Sequence, residues 1–260
     1  MTEQDRLRAI RRKLACLAAG VPGRPVAFLP TGLASLDKAL GTGGLPLGAI
    51  TEIFGGSGSG KTAIALQLVR SAQSRGAGAA WIDVDRSFDP ASAAAFGISL
   101  ERLPVARPDS AEHAFAMAAA LAASRAISLL VVDPAAALVP AAELLASVGT
   151  GGPGLHGRVL ASGLRKLAAD VARTAVALVF LNQTRSRAAG GMETNTTAGG
   201  PALKLYAALR IALEPAGSAA VRFRVVKNKA GEVFARGHLR WIPGAGFAET
   251  PECGPSNTDQ

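Results

Sequence analysis

Two hydrophobic rhythms alternate along the chain. Unbroken apolar runs occur at Ala49-Ile50-Thr51-Glu52-Ile53-Phe54, Ala79-Ala80-Trp81-Ile82-Asp83-Val84-Asp85, Ser128-Leu129-Leu130-Val131-Val132-Asp133 and residues 175–183. Runs of this kind, rich in Val, Ile and Leu, predict strands buried on both faces. Between them, residues 63–69, 110–124 and 155–173 carry apolar positions at the spacing of three and four that predicts helices. A shorter helix is predicted over residues 31–40, opening at Thr31 or its neighbours. Residues 1–20 form an amphipathic pattern, with Leu7, Ile10, Leu14 and Leu17 set among Arg8, Arg11, Arg12 and Lys13. Its apolar stripe must dock on something. Alternating strands and helices predict an α/β fold: a mostly parallel central sheet with helices on both faces. From about residue 205 the rhythm changes. Leu209–Leu213, Val221–Val226 and Gly237–Trp241 read as successive strands, expected to run antiparallel and extend the sheet at the C-terminal end.

These patterns divide the chain into an N-terminal helix and linker (1–30), one core (31–248) and a polar tail (249–260) expected to be disordered. The linker is marked by Gly20, Pro22, Gly23 and Pro25. Hydrophobic residues make up 49% of the chain and aromatics only 5%, so Ala, Leu and Val must form most of the core. Cys16 and Cys253 are too far apart for a metal or redox motif, which argues for a reducing compartment. No apolar run reaches membrane-spanning length and the N-terminus is charged rather than signal-like. The expectation is a cytoplasmic protein without a membrane partner.

The first apolar run leads into Gly55-Gly56-Ser57-Gly58-Ser59-Gly60-Lys61-Thr62, and a helical pattern follows from Ala63. Strand, glycine-rich loop and helix in that order satisfy the phosphate-binding pattern G-x-x-x-x-G-K-[ST] in the context it needs. Glycines let backbone N–H groups turn inward around a polyphosphate, and the helix aims its unpaired amides at the anion. Lys61 is expected to reach the β- and γ-phosphates, Ala63 to adjoin them, and the Thr62 hydroxyl to ligate Mg²⁺. ATP and Mg²⁺ are therefore the expected cofactors. In an open α/β sheet, ligands sit beyond the carboxyl ends of the strands. Those ends carry Asp85, Asp133 and Asn182-Gln183. Asp133 is placed to hold Mg²⁺, although Asp ahead of Pro134 also suits a helix N-cap. Asp85 could orient the attacking water or be a solvated turn residue. Gln183 could sense the γ-phosphate or make a hydrogen bond at the sheet edge.

Charge then separates the halves. Residues 49–157 carry 7 Lys/Arg against 9 Asp/Glu, whereas residues 158–240 carry 14 against 4. A basic half on a near-neutral nucleotide core points to a polyanion such as nucleic acid, with a generic solubilising surface as the plainer alternative. Two glycine-rich segments, Gly149–Gly154 and Thr184–Gly200, lack apolar periodicity and are expected as functional loops. The second carries Arg185 and Arg187 directly after Gln183.

These residues together resemble the bacterial RecA recombinase family. The resemblance runs over roughly residues 31–248. It is carried by Thr31–Leu40, Gly43–Gly48, the phosphate loop, Ile82–Asp85, Asp89-Pro90, Leu129–Asp133, Leu164–Leu167, Leu181–Gln183, Thr196–Gly200, Ala202–Tyr206 and Val225–Lys229. It implies a RecA-like phosphate-loop NTPase core that binds single-stranded DNA. The two glycine-rich segments would be DNA-binding loops, with Arg158, Arg185, Arg187, Gly199 and Gly200 at the DNA. Asp85, Gln183 and Lys61 would be catalytic, Asp89 would contact the nucleotide, and Lys227 and Lys229 would touch a nucleotide held by a neighbouring subunit.

The sequence also departs from the family. Asp85 stands where the family has a water-activating Glu, Ser92 where an aromatic stacks on adenine, and Leu205 where a Phe meets the next subunit. The second DNA loop lacks its aromatic residue, and against the family's pattern a shortened polymerisation region and no separate C-terminal domain are expected. A shortened core of this kind is similar to the ImuA-type accessory proteins of SOS translesion synthesis. That resemblance implies a regulator of RecA filaments that works with a translesion polymerase, self-associates and hydrolyses ATP weakly, in response to single-stranded DNA. The alternative is a DNA-dependent ATPase that carries out homologous strand exchange itself. A small-molecule kinase would leave the basic half unexplained.

Overall fold

The computed structural model describes residue 2 and residues 4–10, 27–146, 154–189, 192–197, 200–242 and 246–249. Residues 4–10 form helix α1, exposed along its whole length, Leu7 and Ile10 included. The remainder of the predicted N-terminal helix and its linker lie outside the described residues, as does the tail from residue 250. Strand β1 (Phe28–Leu29) pairs antiparallel with β2 (Leu45–Pro46), and between them runs α2 (Ala34–Leu40). The helix opens three residues later than Thr31. Thr31 instead builds the lead-in turn: its hydroxyl accepts the Leu33 N–H at 3.1 Å, and its own N–H donates to the Asp37 carboxylate at 3.0 Å.

The main sheet is assembled from β3 (Ala49–Gly55), β4 (Ala79–Asp83), β5 (Val105–Ala106), β6 (Leu129–Asp133), β7 (Ala177–Ala189), β9 (Leu209–Pro215), β10 (Ala220–Asn228), β11 (Arg236–Ile242) and β12 (Gly246–Glu249). Their order is β12-β11-β10-β9-β3-β7-β6-β4-β5. Six neighbours, from β9 across to β5, are parallel, as their apolar runs predict. Alternate residues of each strand feed opposite layers. Ile53, Trp81, Val131 and Val179 pack with α3 (Lys61–Ser74) on one face. Ile50, Ile82, Leu130, Val132 and Phe180 pack with α5 (Ala111–Ala123) and α7 (Leu155–Val171) on the other. The mostly parallel α/β core with helices on both faces is the fold expected from the hydrophobic rhythm.

Three expectations need correction. First, β9 was expected to be antiparallel but runs parallel to β3, with Thr51 beside Leu209 and Gly55 beside Leu213. The short helix α8 (Pro201–Tyr206) acts as a crossover, and only β10, β11 and β12 reverse. Second, the segment from Thr184 is not a structureless loop. β7 continues through Ala189 and pairs antiparallel with β8 (Met192–Thr197), from Thr184 opposite Thr197 to Ala189 opposite Met192. These strands are built from Thr, Ser, Asn and Arg, so the backbone ladder forms without the apolar alternation that would have announced it. Third, β4 stops at Asp83, and Asp85 lies in the turn beyond it. Helix α4 (Pro90–Ala95), β12 and α6 (Ala141–Leu145) had no sequence signal strong enough to predict.

Gly78 leads into β4, and its carbonyl accepts the N–H groups of Ser128 and Leu129. A Cβ there would lie 2.1 Å from the carbonyl oxygen of Ala126. Gly→Ala at a tolerant site stabilises by roughly 0.4–1 kcal/mol through the unfolded chain. Here the clash is with backbone, so Gly78→Ala is expected to lose roughly 1–3 kcal/mol in chemical denaturation. A gain would mean the strand entry can shift freely.

Candidate functional site

The site grows from the carboxyl end of β3. Gly55 closes that strand with Gln183 of β7 on one side and Leu213 of β9 on the other. A Cβ on Gly55 would stand 2.3 Å from the Leu213 carbonyl oxygen, so only glycine fits where the loop leaves the sheet. Gly58 and Gly60 adopt left-handed φ values of 71° and 82°, which side chains resist. Helix α3 begins at Lys61 with Gly60 as its N-cap, and no side chain caps it. Its first N–H groups are therefore left for an anion. The Lys61 ammonium lies folded over its own loop, donating to the carbonyls of Gly55 (3.1 Å) and Gly56 (2.7 Å) and to the Ser59 hydroxyl (3.4 Å). Burial lowers its pKa from the ordinary lysine value, and the Asp133 charge opposes that shift.

Thr62 donates from its hydroxyl to the Asp133 carboxylate at 3.2 Å. Burial pushes the Asp133 carboxyl up to about 6, the Thr62 hydrogen bond resists, and the charges of Asp85 and Asp83 raise it further. A hydroxyl oxygen and a buried carboxylate side by side fit Mg²⁺, which takes one or two protein oxygens and completes its shell with phosphate and water. Among the described residues no group of three His, Cys, Asp or Glu could hold a metal alone.

Beside the loop opens a cavity of about 430 Å³. One wall is Gly58–Ala63, and the other includes Pro215, Val221, Trp241 and Phe247. Trp241 meets Phe247 edge-on at 5.2 Å and Phe96 at 5.9 Å. Phe247 also reaches the loop, since a Cβ on Gly60 would lie 2.7 Å from its ring tip. The cavity is thus polar and amide-lined at one end and aromatic at the other. Trp241 and Phe247 were not legible as site residues. Their scarcity in a chain with 5% aromatics was the one available signal.

The other candidates fall in distinct places. Gln183 is exposed at the strand tip next to Gly55. The Asp85 carboxylate is exposed and accepts the Ser87 hydroxyl (2.6 Å) and N–H (3.2 Å). The buried carboxylate at the tip of β4 is instead Asp83, opposite Asp133 in register and bridged by Arg107 at 3.0 Å. Sequence reading passed over it. Asp89 caps α4, accepting the N–H groups of Ala91 and Ser92 and the Ser92 hydroxyl, which hold its pKa below the usual carboxylate range. Neither Asp89 nor Ser92 lines the cavity.

Arg185 and Arg187 sit on the β7 half of the hairpin, two residues apart. Arg158 is exposed in the first turn of α7, Gly200 precedes α8 with φ 76°, and Gly199 lies outside the described residues, as do Gly149–Pro153. Lys227 and Lys229 are brought nowhere near Lys61. Lys227 pairs with Arg210 toward the amino end of β3 and donates to the carbonyls of Lys204 (2.8 Å) and Leu205 (3.1 Å). The sheet also gathers Arg222, Arg224, Arg236 and Arg240 as exposed, alternate positions of β10 and β11. Sequence reading had not recognised them as one surface.

A glycine-turned amide cradle at the edge of a parallel sheet, facing a Thr–Asp oxygen pair, defines a phosphate-loop nucleotide-binding core. Comparison with known proteins narrows the class: the RecA N-terminal domain matches residues 17–248, and the chain belongs to that family. It is 39% identical to Protein RecA of Brucella anthropi over 248 residues, covering 91% of this chain and 68% of that protein. It is 38% identical to Protein RecA of Thermus thermophilus over 261 aligned positions, covering 94% and 76%. With Protein RecA of Deinococcus radiodurans it shares 40% identity over 234 residues, covering 85% and 64%. The chain thus spans about two thirds to three quarters of the length of these relatives. None of the described helices is long and apolar enough to cross a membrane.

The Asp133 carboxyl carries its proton up to about pH 6 in the fold, against an ordinary 3.8. Because its folded pKa is raised, the metal-free protein loses stability as pH climbs from about 4 to about 6 and remains weakened above. Asp133→Asn removes that penalty. In thermal melts without Mg²⁺ the variant is expected to be the more stable protein at pH 7 to 8, by roughly 1–3 kcal/mol. Mg²⁺ with ATP should stabilise the wild type and leave the variant little changed. Parallel pH profiles for the two proteins would rule this out.

Proposed function

We propose that this protein is an ATP- and Mg²⁺-binding, RecA-like DNA-repair protein that grips single-stranded DNA in response to the nucleotide. One observation carries the reading: strand β7 runs without a break from the residue beside the phosphate loop, Gln183, into the hairpin that bears Arg185 and Arg187. Lys61 would hold the β- and γ-phosphates, and Thr62 and Asp133 would hold the cation. Trp241 and Phe247 would line the end of the cavity left for the base. Bound Mg–ATP supplies the phosphoryl chemistry, and Gln183 registers its γ-phosphate. Arg158 and Gly200 would also meet the DNA, and the exposed arginines of β10 and β11 offer further contacts to phosphates. If so, Arg185→Ala with Arg187→Ala should weaken binding to a labelled oligonucleotide and lower the slope of log affinity against log salt by about 1.4, since each single-strand phosphate contact contributes about 0.7. An unaltered slope would take the hairpin out of the DNA site.

Within that reading, the protein acts as an accessory of RecA filaments, of the ImuA type, together with a translesion polymerase in the SOS response. Supporting this are the residues that weaken an autonomous engine. Asp85 is one methylene shorter than the family's Glu and its carboxylate is engaged by Ser87. Leu205 exposes 67% of its surface where the family has an interface Phe. Hydrolysis is then slow because the carboxylate stands back from the water, and misplacement of about 1 Å costs about 100-fold. Asp85→Glu is expected to raise the DNA-stimulated rate by roughly 10- to 100-fold with KM little changed. No gain in a steady-state assay would show that this carboxylate does not limit the reaction. The second reading, a strand-exchange ATPase acting alone, is favoured by Lys227 and Lys229, which lie where a neighbour's nucleotide could be met. Long filaments on single-stranded DNA in electron micrographs, without added RecA, would select it.

A further inference from the structure

Three strands bury a polar network directly behind the phosphate loop. Glu52 of β3 is fully buried, and its carboxylate receives the Arg210 guanidinium of β9 at 2.5 Å and the Asn182 amide of β7 at 2.8 Å. Arg210, 8% exposed, also lies over the ring of Phe54 at 4.5 Å. Asn182 works in two directions. Its Nδ2 donates to Glu52, and its Oδ1 accepts the N–H of Gln183 at 2.9 Å. In register, Glu52 faces Arg210, Phe54 faces Asn182 and Gly55 faces Gln183. The network therefore ends within one residue of both the loop and the strand tip. On its other side Arg210 pairs with Lys227, which is anchored on the last turn of α8.

Packing does not explain this arrangement. Taking a carboxylate and a guanidinium out of water costs several kcal/mol each, and apolar residues of the same volume often serve stability as well or better. What an ion pair provides and an apolar pair does not is a fixed direction for its hydrogen bonds. Here that direction points through Asn182 at the backbone of Gln183.

We propose that the buried Glu52–Arg210 pair is a positioning element: it holds Asn182, and through Asn182 the Gln183 tip, against the phosphate loop, so that the state of the loop is passed along β7 to the hairpin. The inference rests on the nucleotide-dependent DNA binding proposed above and assigns that coupling to residues that touch neither ligand. Losing the pair should leave each ligand able to bind and remove the influence of one on the other.

The test uses the full chain and a labelled thymidine oligonucleotide, with Mg²⁺ and either a slowly hydrolysed ATP analogue or ADP. In the wild type the analogue should tighten DNA binding by about tenfold or more over ADP, a common size for coupling between sites. Glu52→Leu with Arg210→Met replaces the pair by apolar groups and is expected to fold, with its thermal midpoint near or above that of the wild type. Calorimetry should find its affinity for the analogue within about threefold of the wild type, while the DNA preference shrinks to about twofold or less. Asn182→Leu, which spares the ion pair and cuts the link, should do the same. The inference is overturned if either folded variant keeps the wild-type preference, or if nucleotide affinity and thermal stability fall together with it. It is also overturned if the wild type binds both ligands without coupling them. A wild type that binds no nucleotide defeats the functional reading itself, and the inference with it.

Discussion

The structure depends on the pairing of β3 with β7. Seven residues match in unbroken parallel register, from Ala49 beside Ala177 to Gly55 beside Gln183. Both strands are buried on both faces, so a slip of one residue would turn every apolar side chain into the wrong layer. The register is therefore fixed by the core rather than by the site. It sets Gly55, the first residue of the phosphate loop, beside Gln183, the residue that leads into the hairpin. A change at one strand end has little room to dissipate before it meets the other, because packed strands move together or not at all.

Electrostatics follow from that edge. Asp83, Asp85 and Asp133 gather near the tips of β4 and β6, and among the described residues Asp83 alone of the three has an arginine partner, Arg107. Asp133 shares its neighbourhood with Lys61 and Thr62, too little to keep it an ordinary carboxylate. The edge is short of positive charge in a way that a divalent cation repairs. The basic half of the sequence, by contrast, does not form one patch. Arg185 and Arg187 go to the hairpin, Arg158 to the first turn of α7, Lys227 and Lys229 to the amino end of the strands, and Arg222, Arg224, Arg236 and Arg240 to the outer sheet.

Legibility in the sequence tracked how local the physics was. The phosphate loop and its flanking strand and helix were readable because strand period, glycine placement and helix start lie within twenty residues of one another. The parallel sheet was readable because burial on both faces leaves continuous apolar runs. The hairpin was not, because its strands pair through the backbone and their mostly polar sequence carries no apolar alternation. The direction of β9 was not, because it hinges on a crossover helix of six residues whose pattern is too short to read. Trp241 and Phe247 escaped because their role comes from a fold that carries β11 and β12 back against Gly60, nearly two hundred residues after the loop. Glu52 and Arg210 escaped for the same reason, each reading alone as a charged residue in a strand.

The placement of Lys227 and Lys229 constrains how the proposed function could be carried out. Gly55 stands beside Leu213 while Lys227 pairs with Arg210 and Asn228 with Leu209, so the lysines lie about 10 to 16 Å back along the strands from the loop, at about 3.3 Å per residue. The Lys227 side chain is further committed to the carbonyls of α8, beside the exposed Leu205. A chain folded this way cannot bring its own lysines to its own phosphates. It sets the phosphate loop at one edge and Lys227 and Lys229, beside the exposed Leu205, toward the other; on the proposed reading this would be a head-to-tail rather than a self-complementary arrangement. Such a surface can propagate copy after copy, or it can engage a single larger assembly through one edge. An accessory that uses one edge needs only binding there, whereas a self-sufficient filament needs every internal junction to support hydrolysis as well. On the proposed reading, Asp85, short and engaged by the Ser87 hydroxyl, bears on the second requirement rather than the first.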